Sequence, residues 1–118
     1  MKDDYAYLVS RLTKPGQDIV NELTPEDAHQ IHMIMGVSGE AGELLDAIKK
    51  AVIYRKKIDM ENVIEELGDI EFYMEGLRQS FGLSREEIVT QNMRKLTKRY
   101  SDGSYSDAAA KNRADKQG

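Results

Sequence analysis

Hydrophobic residues recur every three or four positions through most of the chain, which is the spacing that one face of an α-helix requires. One such run follows Pro25 and extends to about Tyr54. A second run begins near Asp59 and ends before Gly82. The first run contains Ile31, Ile34, Met35, Leu44, Leu45, Ile48 and Val52, and the second contains Val63, Ile64, Leu67, Ile70, Met74 and Leu77. The pattern predicts two long helices in the middle of the chain.

Local signals mark where these helices begin and end. Thr24 followed by Pro25 is typical of a helix start, because threonine caps the first turn and proline suits the first helical position. Gly82 is typical of a helix end. Ser84 with Glu87 has the spacing of a capping box, which predicts another helix to about Tyr100.

The connection at 55–60 is short, so the two long helices are expected to pack antiparallel. A further short helix is predicted at 4–12, before the break at 14–16. The expected fold is therefore all-α, a four-to-five-helix bundle with a central antiparallel helix pair. It would form one domain over 1–100, followed by a polar C-terminal tail at 101–118. The small size suggests that oligomerisation completes the core.

Composition narrows the function. The chain has 118 residues, of which 40% are hydrophobic and 32% charged, and it has no cysteine, which excludes disulfides and thiolate metal sites. A net charge of −4 argues against stable nucleic-acid binding, which usually needs a basic face. The sequence has no apolar run long enough to span a membrane. A cytoplasmic location is therefore expected.

Four carboxylates form the most distinctive chemical pattern. Glu40 and Glu43 are three residues apart on the first long helix, and Glu66 and Asp69 are three apart on the second. Residues at this spacing share a helix face, and the antiparallel pairing would bring both faces to similar heights. Four inward carboxylates repel one another unless a cation compensates. With oxygen ligands only, Mg²⁺ is the expected ion, and Mn²⁺ is the alternative.

Two other interpretations remain open from the residues alone. The acids could be ordinary solvated side chains on helix surfaces. A di-iron carboxylate bundle would need two Glu-x-x-His motifs on facing helices, whereas Glu26 and His29 form the one example present. His29 and His32 are expected to be partly buried polar residues or hydrogen-bond donors near the site.

A basic stripe follows on the last predicted helix. Asn92, Lys95 and Arg99 share one face, with Tyr100 next to them. Cations at a helix C-terminus also simply offset the helix dipole. Beside a metal, however, the same side chains are suited to the phosphates of a triphosphate. The basic group at 55–57 is expected to be a solvated helix end.

At these residues the sequence resembles the MazG-type all-α nucleoside triphosphate pyrophosphohydrolases. The strings SGEAGELLD at 38–46 and EELGDI at 65–70 are similar to the family's ExxE…ExxD signature, and the asparagine, lysine, arginine and tyrosine of 92–100 resemble its NxxKL…RY element. The resemblance implies that Glu40, Glu43, Glu66 and Asp69 coordinate Mg²⁺. It also implies that Asn92, Lys95, Arg99 and Tyr100 bind the substrate.

The resemblance further implies hydrolysis of (d)NTP to (d)NMP and pyrophosphate, in control of nucleotide pools, by a homodimer or homotetramer. Glu43 and Glu66 are the first candidates for the catalytic base. The alternative function is a non-catalytic helical oligomer that binds nucleotides or a partner chain.

Overall fold

The helices begin where side chains can cap them. In the computed structural model, which describes residues 3–116, the Asp27 backbone N–H donates to the Thr24 hydroxyl and the Asp27 side chain accepts from the Thr24 backbone, forming a complete capping box. The carboxylate of Asp59 and the hydroxyl of Ser84 accept from the first turns of the next two long helices. The predicted starts of these three helices are confirmed.

The described residues form an all-α structure, as predicted, with no strand among them. The order is α1 (Asp4–Leu12), α2 (Gly16–Glu22), α3 (Pro25–Ile53), α4 (Met60–Ser80), α5 (Arg85–Arg99), α6 (Asp107–Asn112) and a 3₁₀ turn (Ala114–Lys116). Helix α6 lies in the segment that the sequence predicts as a polar tail. Within residues 3–116, no helix is both long and apolar enough to cross a membrane.

Helices α3 and α4 pack as an antiparallel hairpin, the central pair that the sequence predicts. Two glycines permit the close approach. A Cβ on Gly36 would overlap the ring of Tyr73, and a Cβ on Gly76 would overlap the Met33 sulfur. The glycines in α3 therefore do not break the helix. Gly36 instead allows α4 to approach it closely.

The hairpin is the main packed unit of the single chain, because α5 packs against α6 and the 3₁₀ turn instead. Among the described residues, Met33 is the one hydrophobic residue that is buried. The radius of gyration is 20.6 Å, whereas a globular domain of this length has a radius of about 13 Å. The described part of the single chain therefore lacks a closed hydrophobic core.

Candidate metal and nucleotide site

The two glycine contacts set the register of the hairpin. Gly36 of α3 faces Tyr73 of α4. Counting seven residues toward the turn along each helix places position 43 opposite position 66. Counting four residues in the same direction places position 40 opposite position 69. The acidic pairs of α3 and α4 therefore lie at the same level, which is the arrangement that their sequence spacing predicts.

Three of the four predicted carboxylates come together. One carboxylate oxygen from each of Glu40, Glu43 and Glu66 lies within 4.8 Å of the other two. Glu66 is 7% exposed, Glu40 is half-buried and Glu43 is exposed at the edge of the group. Asp69 is half-buried on α4 at the level of Glu40, and its carboxylate lies outside the three-oxygen cluster.

The cluster is electrostatically unsatisfied as it stands. Oε2 of Glu40 and Oε2 of Glu66 are buried and accept no hydrogen bond from the described residues. Hydrogen bonding to Glu40, together with burial and the hydrogen bonding and charge of Glu43, raises the pKa of Glu66 to about 7. Since a buried carboxylate oxygen without a donor is costly, the group fits a divalent cation that would bind these oxygens.

The donor set agrees with a hard cation. All three clustered ligands are carboxylates, and no histidine joins them within residues 3–116. Carboxylate oxygens suit Mg²⁺ or Mn²⁺. A di-iron bundle would need histidines beside the carboxylates, and neither histidine joins the cluster among residues 3–116. His32 is exposed, and its ring centroid lies 6.1 Å from that of Tyr73. His29 lines a separate cavity with Met33.

A cavity of about 590 Å³ opens beside the carboxylates and runs toward the α3–α4 turn. Glu43 and Glu66 line one end, and Lys56 and Lys57 line the other. Gly39 and Gly42 also line it, and a Cβ on either glycine would meet no other atom within 4 Å. These two glycines thus keep one wall of the cavity free of side chains.

The predicted basic residues of α5 lie elsewhere in the single chain. None of them lines the cavity beside the carboxylates. Asn92 and Lys95 are exposed. The Arg99 guanidinium donates to Asp115 at 3.0 and 3.4 Å, and the Tyr100 ring lies 5.6 Å from that of Tyr105. Their binding of substrate stays a prediction.

The lysines of the turn are not assigned to the site by the sequence. Lys56 and Lys57 are exposed just after the end of α3, as expected, and they also line the same cavity as the carboxylates. The backbone conformation of the preceding residue places the two lysines beside the cavity. Arg55 has a φ of 55°, in the left-handed region, and such a residue is hard to predict without glycine or asparagine at the position.

Comparisons with known proteins agree with the geometry. A family model described as the MazG nucleotide pyrophosphohydrolase domain matches residues 28–103. No curated protein and no solved structure matches the chain. The matched residues include both acidic pairs and the basic stripe of α5, and they cover well over half of the 118 residues. The chain therefore belongs to the MazG nucleotide pyrophosphohydrolase domain family.

Proposed function

We propose that this protein is a Mg²⁺-dependent nucleoside triphosphate pyrophosphohydrolase that converts (d)NTP to (d)NMP and pyrophosphate. The observation that carries the proposal is the cluster of Glu40, Glu43 and Glu66, in which two buried oxygens have no donor. The family match supplies the reaction class. This reaction suits an enzyme that controls nucleotide pools in the cytoplasm.

Glu40, Glu43 and Glu66 would hold the ion, and Asp69 completes the predicted ligand set at the level of Glu40. Bound there, Mg²⁺ would neutralise phosphate charge and polarise the scissile phosphoanhydride. Glu43 is exposed at the edge of the cluster, where it can orient a water molecule. Glu66 would be the other candidate base, because one of its carboxylate oxygens lies within 4.8 Å of one from Glu43.

We also propose that the active protein is a homodimer or homotetramer. Apolar side chains on the central hairpin are left uncovered in the single chain, among them Met35 (65% exposed), Leu45 (67%) and Phe72 (68%). Exposed apolar surface of this extent is typical of an interface between subunits. In a single chain, the predicted substrate-binding residues of α5 do not line the cavity beside the carboxylates. A second copy would bring its own Asn92, Lys95, Arg99 and Tyr100 to the triphosphate.

A product assay tests the proposal. The protein is incubated with each (d)NTP and Mg²⁺, and pyrophosphate is measured against orthophosphate. We expect equal amounts of monophosphate and pyrophosphate from at least one nucleotide. Orthophosphate as the product would contradict the reaction. Nucleotide binding without any turnover would instead support the non-catalytic alternative.

A further inference from the structure

The cavity beside the carboxylates joins two groups of opposite charge. Its acidic end is formed by Glu43 and Glu66, and its basic end by Lys56 and Lys57. Lys50 lies between them on α3, two helical turns beyond Glu43, which is about 10 Å along the helix axis. An elongated anion that binds a cation at the acidic end would therefore extend toward the lysines.

The backbone at the end of α3 turns the lysines toward the cavity. The Lys56 N–H donates to the Ala51 carbonyl at 3.1 Å, and Arg55 occupies the left-handed region between α3 and the turn. This is the hydrogen bond of a Schellman motif, usually formed with glycine at the left-handed position. The sharp reversal leaves Lys56 and Lys57 beside α3 and α4 rather than beyond the helix end.

The two lysines carry charge that no other residue in the described part of the chain pairs with. Neither Lys56 nor Lys57 forms an ion pair with any residue in 3–116, and both are exposed. The two aspartates of the cavity are already engaged. Asp46 pairs with Lys50 at 2.9 Å, and the Asp59 carboxylate accepts the Asn62 N–H as the cap of α4. The free positive charge of the cavity is thus concentrated on Lys56 and Lys57.

We infer that Lys56 and Lys57 bind the β- and γ-phosphates, which become the leaving pyrophosphate. This inference rests on the proposed function. The α-phosphate would lie at the carboxylates, and the nucleoside would extend away from the α3–α4 turn. In the reaction, the water oxygen bonds to the α-phosphorus, and one water proton passes to the carboxylate of Glu43 or Glu66, the two candidate bases. The electron pair of the broken α-phosphorus–oxygen bond stays on the pyrophosphate, where two ammonium groups stabilise the added charge.

The test compares the two products as ligands. In the variant Lys56→Gln/Lys57→Gln, we expect the KM for triphosphate and the inhibition constant for pyrophosphate to rise about tenfold or more, because charged hydrogen bonds to phosphate are lost. The inhibition constant for monophosphate should change less than twofold, since that product does not reach the turn. The variant Lys56→Arg/Lys57→Arg should restore pyrophosphate binding.

The matched control is Lys49→Gln/Lys111→Gln, which removes the same charge from exposed lysines that do not line the cavity. This control should leave both inhibition constants within twofold of the wild type. An unchanged pyrophosphate constant in the Lys56/Lys57 variant would overturn the inference, and so would an equal loss for both products. Calorimetric titration with pyrophosphate and Mg²⁺ separates this inference from the proposed hydrolysis. It measures pyrophosphate binding by Lys56 and Lys57 directly, even if the protein hydrolyses no triphosphate.

Discussion

Glu66 combines burial with close carboxylate neighbours, and its protonation should affect stability. The pKa of Glu66 is raised to about 7 from its usual value of 4.5, chiefly by hydrogen bonding to Glu40. At pH values between about 4.5 and 7, Glu66 is therefore protonated in the folded protein and ionised in the unfolded chain. The free energy of unfolding of the metal-free protein should therefore fall as the pH rises from about 4.5 to 7.

The melting temperature of metal-free protein across this pH range checks the expectation. Glu66→Gln removes the titrating group and should flatten the decline. Adding Mg²⁺ above pH 7 should raise the melting temperature of the wild type more than that of the variant, because binding to the folded state alone stabilises it. Identical pH profiles for the two proteins would show that Glu66 does not titrate as described.

Gly36 illustrates a residue whose role is packing rather than chemistry. A Cβ at this position would overlap the Tyr73 ring, so Gly36→Ala should destabilise the protein by about 1–2 kcal/mol, despite the higher helix propensity of alanine. Gly39→Ala is the control in the same helix, where a Cβ meets open space and should stabilise by up to about 1 kcal/mol. Chemical denaturation measures both. Equal effects of the two substitutions would refute the close packing at Gly36.

At the scale of elements, the long helices were predictable because their signals are local. The Thr24–Asp27 capping box and the Asp59 cap place the starts of α3 and α4, and the three-residue spacing of Glu40 and Glu43 places both on one face. Helix α6 was not predicted. Its sequence, Asp107–Asn112, is mostly small and polar without a repeating apolar face. Its capping serine, Ser106, is not distinctive in a segment so rich in polar residues.

The position of the turn lysines was equally hard to predict, because it depends on the left-handed conformation of Arg55. The position of α5 relative to the carboxylates also could not be predicted from local sequence patterns. Sequence spacing places Asn92, Lys95 and Arg99 on one helix face, but it does not determine which element α5 packs against. In the single chain that element is the C-terminal segment.

The C-terminal segment is attached to α5 through Arg99 and Asp115. The side chains are 17% and 5% exposed, and the ion pair lowers the pKa of Asp115 and raises that of Arg99. Asp115→Asn should therefore weaken the attachment and increase amide hydrogen exchange in α6. Glu86→Gln, which removes an exposed acid from the first turn of α5, is the control and should leave exchange in α6 unchanged. Unchanged exchange in both variants would contradict the attachment.

At the scale of the whole molecule, the extended shape of the single chain is what supports the proposed homodimer or homotetramer. The radius of gyration is 20.6 Å, and residues 3–116 form no closed core. Light scattering should give two or four times the chain mass of 13.4 kDa. The melting temperature should also fall on dilution, as expected for linked folding and assembly. A monomer with a concentration-independent melting temperature would refute this part of the account.

The central claim is that the clustered carboxylates of α3 and α4 catalyse pyrophosphate release. Its most direct test is the initial rate of pyrophosphate formation from (d)NTP and Mg²⁺ by the wild type, by Glu66→Gln and by Glu65→Gln. The last variant removes an exposed carboxylate from the adjacent position of the same helix. We expect Glu66→Gln to lower the rate more than about 100-fold with its helicity retained, and Glu65→Gln to lower it less than about threefold. Equal rates for Glu66→Gln and the wild type would contradict the claim.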